Sequence, residues 1–209
     1  MPPPSHSPVS IAILAKAPIP GLAKTRLIPT IGAHAAAALQ ERLTERALAT
    51  AFAADTGPVT LWCAPNATHD SFVKLVARLR VTIRPQPEGD LGVRMLAAVA
   101  AGSGPVLVIG TDCPALTDVH LRGAAKALQD GNDLILIPAE DGGYVLIGMR
   151  TAQPALFPGI AWGTNTVLAE TRARIIEHRL MLVECPPLWD VDTEADYARL
   201  EREYPELKL

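Results

Sequence analysis

Residues 105–116 read Pro-Val-Leu-Val-Ile-Gly-Thr-Asp-Cys-Pro-Ala-Leu. Four consecutive apolar residues, Val106 to Ile109, stand between Gly104-Pro105 and Gly110. The run is too short for a comfortable helix and shows no polar alternation, which is how a strand covered on both faces of a sheet reads. It ends in Thr111-Asp112-Cys113-Pro114. Open α/β sheets bind ligands just outside the carboxyl ends of their strands, so a carboxylate at this point is a candidate ligand-holding group. Two readings of Asp112 stand side by side. It holds a metal in a nucleotide-type site, or it only caps the helix that starts near Thr117.

Around this strand, apolar runs alternate with helical patterns. Strands are expected at 9–15, 59–63, 81–84, 133–138, 145–149 and 180–185. Helices are expected at 33–54, 69–79, 92–101, 117–130, from about 165 to 178, and 194–203, with Thr117 as one N-cap and Asp192 or Thr193 as another. This order implies a three-layer α/β/α Rossmann-like sandwich with a mainly parallel central sheet. If the strands run parallel, the polar loops after them gather on one edge of the sheet.

Four of those loops carry candidate chemistry. The first, residues 16–27, reads Lys-Ala-Pro-Ile-Pro-Gly-Leu-Ala-Lys-Thr-Arg-Leu. Its prolines and Gly21 predict a shaped loop and not a helix. Lys16, Lys24 and Arg26 lie on it with no acid between them. Such cations suit a diphosphate, and the Arg26 guanidinium can grip two oxygens at once. A solvated basic loop is the plain alternative. Gly-Leu-Ala-Lys-Thr resembles the tail of a P-loop, but the leading glycine at the required spacing is absent, which excludes a Walker-type ATPase. The second loop, with Gly89, Asp90, Gly92 and Arg94, enters a helix through glycines. It suits a polar ligand, or is an ordinary capped loop; Gln86 and Arg94 are candidates for reading a base edge. The third, Asp141-Gly142-Gly143-Tyr144, is either a hairpin turn or a place where the backbone approaches a ligand closely. The fourth carries Asp190 and Asp192, which point to the same side of an extended segment. Two such carboxylates repel unless a cation sits near them; capping by one and solvation of the other is the alternative.

Composition narrows the classes. At 209 residues, with 49% hydrophobic and 20% charged residues, the chain is long enough for one globular domain with a substantial core, expected over residues 9–209 behind a flexible start at 1–8. The formal net charge of -3 gives no basic field for nucleic acid. Cys63, Cys113 and Cys185 are scattered, so neither a zinc cage nor a disulfide framework is indicated, and a reducing cytoplasm is the expectation. The start lacks the features of a signal peptide, and no apolar run is long enough to span a bilayer. Cys113 beside Asp112 has no histidine in its block to activate it, so it is read as packing and not as a nucleophile.

Six blocks occur in order along the chain: Ala-Lys-Ala-Pro-Ile-Pro-Gly-Leu-Ala-Lys-Thr-Arg-Leu from Ala15, Gly-Asp-Leu-Gly-Val-Arg-Met from Gly89, Gly-Thr-Asp-Cys-Pro-Ala-Leu-Thr from Gly110, Pro-Ala-Glu-Asp-Gly-Gly-Tyr-Val-Leu-Ile-Gly from Pro138, Trp-Gly-Thr from Trp162, and Asp-Val-Asp-Thr-Glu-Ala-Asp from Asp190. Together they resemble the bacterial glycosyltransferase-A-like (GT-A) proteins of the DUF2064 group, which includes members named for arsenosugar biosynthesis. The resemblance runs from Ile11 to about Leu200. It implies the nucleotide-diphospho-sugar transferase fold and a Mg2+- or Mn2+-dependent transferase acting on a nucleotide-activated donor. By position it implies nucleotide contacts from Lys16, Lys24, Thr25, Arg26, Gly89, Asp90, Gly92 and Arg94. Asp112 would hold the metal, completed by Asp192 or Asp190. Gly142, Gly143, Tyr144, Trp162 and Thr164 would shape an acceptor pocket, with Asp141 as base or orienting group. The implied catalytic residues are thus Asp112, Asp141 and Lys24. Glycosyl transfer to a small acceptor is the first expectation. The central strand ends in one Asp and not in Asp-x-Asp, which is more typical of the similar nucleotidyltransferases, so transfer of a nucleotidyl group to a phosphorylated or carboxylated acceptor, with release of pyrophosphate, stands as the alternative. A non-catalytic nucleotide-binding protein is the third.

Overall fold

The computed structural model describes residues 7–209; of the flexible start expected at 1–8, residues 1–6 lie outside the described residues. The strands are β1 (Ser10–Lys16), β2 (Val59–Ala64), β3 (Thr82–Pro85), β4 (Val106–Ile109), β5 (Leu134–Pro138), β6 (Tyr144–Met149) and β7 (Leu182–Glu184). They form one seven-stranded sheet in the order β3-β2-β1-β4-β6-β5-β7. Val106 to Ile109 are each at most 3% exposed, as a strand buried on both faces must be. β4 pairs in parallel with β1, Ser10 opposite Val106 and Ile13 opposite Ile109. β6 runs antiparallel to both β4 and β5. Only a tight turn separates β5 from β6, and a parallel return needs a crossover of a dozen or more residues. The remaining pairs, β1–β2, β2–β3 and β5–β7, are parallel.

The helices are α1 (Ile28–Ile31), α2 (Ala33–Ala54), α3 (Asp70–Leu79), α4 (Leu91–Ala100), α5 (Asp118–Gln129), α6 (Val167–Glu177) and α7 (Glu194–Glu203). Side-chain alternation along the strands sends Ile11, Ile13, Leu107 and Ile109 to one face, where α2, α3 and α5 cover them through Leu48, Phe72 and Leu121. Ala12, Val106 and Val108 face the other way, against Met95 and Val99 of α4 and Leu168 and Ile175 of α6. A third apolar cluster joins the two ends of the chain: Leu27, Leu39 and Leu43 pack with Trp189, Val191, Tyr197 and Leu200.

Caps fall where the residue types demand. The Thr117 side chain accepts from His120 N, and Thr193 accepts from Asp196 N, each within a reciprocal capping box. Asp112, Asp190 and Asp192 cap no helix, so the capping alternatives for all three lapse. Asp90 is the N-cap of α4, its Oδ1 accepting from Val93 N at 2.9 Å. No helix among the described residues is long and apolar enough to cross a membrane.

Candidate functional site

The ends of β1, β4, β5 and β7 and the start of β6 share one edge of the sheet. Two adjoining chambers open there. The larger, about 530 Å³, is lined by Lys16, Gln40, Gln86, Gly89, Asp90 and Arg94 over apolar walls from Leu14, Met95, Val108 and Ile147. The second, about 460 Å³, is lined by Thr25, Arg26, Asp141, Gly143, Thr164, Asp190 and Asp192. Lys16, Gly110, Asp112, Tyr144 and Trp162 belong to both, so Asp112 stands at the seam.

Asp112 is held from three directions. Lys24 Nζ lies 2.8 Å from its Oδ1. Thr111 Oγ1 donates to the same oxygen at 3.0 Å, and buried Gln40, on α2, donates to Thr111 Oγ1 at 2.9 Å. Val191 N donates to the Asp112 carbonyl at 2.9 Å. Burial alone would raise the Asp112 carboxyl, but the Lys24 ammonium and the two hydrogen bonds outweigh it and hold the group below the usual carboxylate range. About half of its side-chain surface, 48%, still faces the cavity, and Oδ2 makes no hydrogen bond among the described residues. Lys24 is the opposite case. Its side chain is 3% exposed, and Nζ also donates to Val191 O at 2.7 Å. Its backbone is left-handed, φ +48°, a conformation that costs a non-glycine residue energy and persists only where the surroundings fix it.

The basic loop therefore does not present three free cations. Lys24 is enclosed against Asp112, and Arg26 pairs with Asp192. Lys16 is exposed at the seam. On the acidic side, burial, then repulsion from the Asp141 and Asp112 carboxylates, pushes the Asp190 carboxyl up to about 6, against an opposing pull from Lys24. Among the described residues no three His, Cys, Asp or Glu side chains converge tightly enough to cage a metal by themselves. An oxygen-only set of one or two carboxylates is nevertheless what Mg2+ uses when substrate phosphates and water complete its shell. Asp112, half-exposed on both chambers, and Asp190, crowded by like charges, fit that pattern. Asp192 is already engaged by Arg26.

The glycines divide by role. Gly142, at φ +93°, sits in the β5–β6 turn, and a Cβ there would come within 2.3 Å of Asn165 O. Leu168 N donates to Gly142 O at 2.9 Å. The close approach is thus to the chain's own backbone, and the hairpin reading of Asp-Gly-Gly is the observed one. Gly143 N donates to Asp141 Oδ1 at 2.9 Å. A Cβ on Gly92 would meet the Trp162 ring at 2.8 Å, so this glycine makes room for the ring that walls both chambers. Burial pushes the Tyr144 phenol up, keeping it protonated beside Met95 Sδ at 3.9 Å. Gln40 was not visible as a site residue. Its only signal is a polar side chain on the helical stripe Ala36, Ala37, Leu39 and Leu43, all of which are buried.

Residues 47–164 match the family described as "Uncharacterized protein conserved in bacteria (DUF2064)". No curated protein matches the chain. Among solved structures, a protein from Desulfovibrio desulfuricans, provisionally described as a nucleotide-diphospho-sugar transferase, is 32% identical with a TM-score of 0.84, the match covering 93% of this chain and 87% of that one. A nucleotidyl transferase from Methanothermobacter thermautotrophicus is 14% identical with a TM-score of 0.66, covering 96% and 99%. A Mycobacterium tuberculosis protein in complex with manganese is 18% identical with a TM-score of 0.50, covering 93% and 98%. The last two share the fold alone. A family match over more than half of the chain and a 32%-identical relative spanning nearly all of it place the chain in the DUF2064 family, on a nucleotide-diphospho-sugar transferase fold.

Proposed function

We propose that the protein is a divalent-metal-dependent glycosyltransferase that moves a sugar from a nucleotide diphosphate sugar to a small hydroxyl-bearing acceptor. The observation that carries this reading is the position of Asp112, at the seam between a chamber with Arg94 and apolar walls and a chamber with Asp141, Asp190 and Asp192. The nucleotide occupies the first and the acceptor the second, so the bond to be broken lies over Asp112. The Desulfovibrio relative and the manganese complex on the same fold support it.

Asp112 and Asp190 would hold Mg2+ or Mn2+, which would supply charge stabilisation for the diphosphate leaving group. Lys16, exposed at the seam, is the cation that diphosphate can reach; Arg26, on the acceptor side, is available to it only by exchanging Asp192 for phosphate. Lys24 fixes Asp112 as its counter-charge and does not touch phosphate. Asp141, whose Oδ1 is occupied by Gly143 N, offers Oδ2 to the acceptor hydroxyl. The acceptor oxygen bonds to the anomeric carbon, the bond from that carbon to the diphosphate oxygen breaks, and the hydroxyl proton passes to Asp141.

Nucleotidyl transfer is the second reading, favoured by the single Asp at the end of β4 and by the fold shared with a nucleotidyl transferase. Its phosphorylated or carboxylated acceptor would enter a chamber already lined by Asp141 and Asp190, where like charges repel. Thermal shifts with nucleotide sugars and with nucleoside triphosphates, with and without Mg2+ or Mn2+, separate the two, because a ligand that binds only the folded state raises the melting temperature. We expect metal-dependent stabilisation by a nucleotide sugar above its matching triphosphate. Asp112→Asn, which keeps an acceptor for Lys24, should abolish that stabilisation and lower turnover by about 10²-fold or more. Full activity of this variant sinks the role of Asp112. Release of pyrophosphate from a triphosphate moves the assignment to nucleotidyl transfer, and no response to any nucleotide leaves a non-catalytic protein.

A further inference from the structure

The larger chamber contains an arginine whose direction the fold fixes. Gln86 follows β3 and turns its amide toward the sheet. Its Nε2 donates to Trp62 O at 2.9 Å and to Ala15 O at 3.1 Å. Both amide hydrogens are thereby spent on the backbone of β1 and β2, which sets the orientation of the group and turns Oε1 away from them. Arg94 Nη1 donates to that Oε1 at 3.2 Å, and Arg94 Nε donates to Gly89 O at 3.2 Å. A guanidinium has five N–H donors and no acceptor. Two are used among the described residues, which leaves three on a group that lines the chamber. Leu14, Met95, Val108 and Ile147 give the same chamber apolar walls, suited to the faces of an aromatic base.

Resting on the nucleotide reading above, we infer that Arg94, aimed by Gln86, selects the base of the donor nucleotide, admitting bases that present two adjacent hydrogen-bond acceptors and disfavouring the others. Guanine offers O6 and N7 side by side, whereas adenine sets an amino donor beside N7. Cytosine offers O2 and N3 side by side, whereas in uracil the N3–H donor separates the two carbonyls. A donor-only group therefore pairs twice with guanine or cytosine, and meets a donor on adenine or uracil. The guanidinium cannot swing to suit another base without leaving the part-buried Gln86 Oε1 unpaired, which is costly. Gln86 is in this account a positioning residue: it touches Arg94, and Arg94 touches the base.

Titration calorimetry of the full chain with GDP, CDP, UDP and ADP, each in Mg2+, tests the assignment. GDP or CDP should bind about tenfold or more tightly than UDP and ADP, and the tighter of the two names the base. Arg94→Lys keeps the charge but not the fork, and should bring the four dissociation constants within about threefold of one another. Gln86→Met should compress the same ratio while the weaker ligands change little; a purely structural role would weaken all four alike. Equal binding of all four by the wild type, or tighter UDP or ADP, overturns the base assignment and leaves the nucleotide site standing. So does a preference that survives Arg94→Lys. Failure of every nucleotide to bind overturns both. The wild-type ratio and Arg94→Lys decide the matter even if Gln86→Met does not fold.

Discussion

Cys113 is the residue at this site whose chemistry is easiest to misread. It follows Asp112 and lines the acidic chamber, where a nucleophile could attack a sugar or an α-phosphate. Burial pushes its thiol up to about 12, with Asp190 and Asp112 adding to the rise against hydrogen bonds from the Leu116 and Ala115 backbone. The thiolate, which is the reactive form, is therefore absent at neutral pH. Cys113→Ala should change turnover less than about twofold, and a loss of the order expected for a nucleophile, about 10³-fold or more, would show that the thiol reacts. What the sequence disclosed at this scale follows from range. Asp112 was legible because its cue, a short apolar run ending in a carboxylate, is local. The partner of Lys24 was not, because the ion pair joins two loops on different strands, and a loop of cations with no nearby acid reads as free charge. Gln40 was hidden for a similar reason: only the fold brings the middle of α2 onto Thr111.

At the scale of elements, one acid ties together the ends of three strands beyond β4. Asp133 immediately precedes β5. Its Oδ2 accepts from Met181 N at 3.0 Å beside β7, and its Oδ1 pairs with Arg150 just after β6. The Met181 N–H, then Arg150, hold its carboxyl below the usual range. The unfolded chain, with an ordinary carboxyl near pH 4, binds the proton first as acid is added. The stabilisation is therefore present above about pH 4 and is lost as pH falls through the lower folded-state value. Asp133→Asn should cost roughly 1–2 kcal/mol at pH 7 and flatten the acid limb of the stability curve. Urea titrations from pH 7 down to 3 check both, and an unchanged acid limb would remove Asp133 from the account. β4, α2 and α7 match their expected bounds because glycine, proline and capping residues mark their ends. The antiparallel direction of β6 follows from the hairpin, one of the two readings that Asp-Gly-Gly left open. The fit of Gly142 against Asn165 was not legible, since nothing near Gly142 in the chain indicates which backbone comes to lie over it.

Over the whole molecule, the two halves of the site come from opposite ends of the chain. β1 and its loop supply Lys16, Lys24 and Arg26; the segment after β7 supplies Asp190 and Asp192. The sequence placed both on one sheet edge, but not the contact that joins them, because it depends on which apolar residues meet after folding. Val191 is the joint: its N–H donates to Asp112 O and its carbonyl accepts from Lys24 Nζ. Beneath it, Leu27, Leu39 and Leu43 pack with Trp189, Tyr197 and Leu200, so α7 clamps the acidic arm onto the basic loop. Leu200 is fully buried and lines neither chamber. Leu200→Ala should cost about 2–5 kcal/mol, as for other buried leucines cut back to alanine. If α7 does hold the arm, the same variant should also weaken metal-dependent nucleotide binding, measured well below its melting temperature, although no atom of Leu200 reaches the cleft. Met95→Ala serves as the counterpart, because it removes a buried side chain from the nucleotide chamber and leaves the clamp intact: it should weaken the nucleotide with and without metal alike, whereas Leu200→Ala should act mainly on the metal-dependent part. Lower stability with unchanged metal dependence in Leu200→Ala would mean that the arm is held by Val191 and Lys24 alone, and that the third cluster only stabilises the fold.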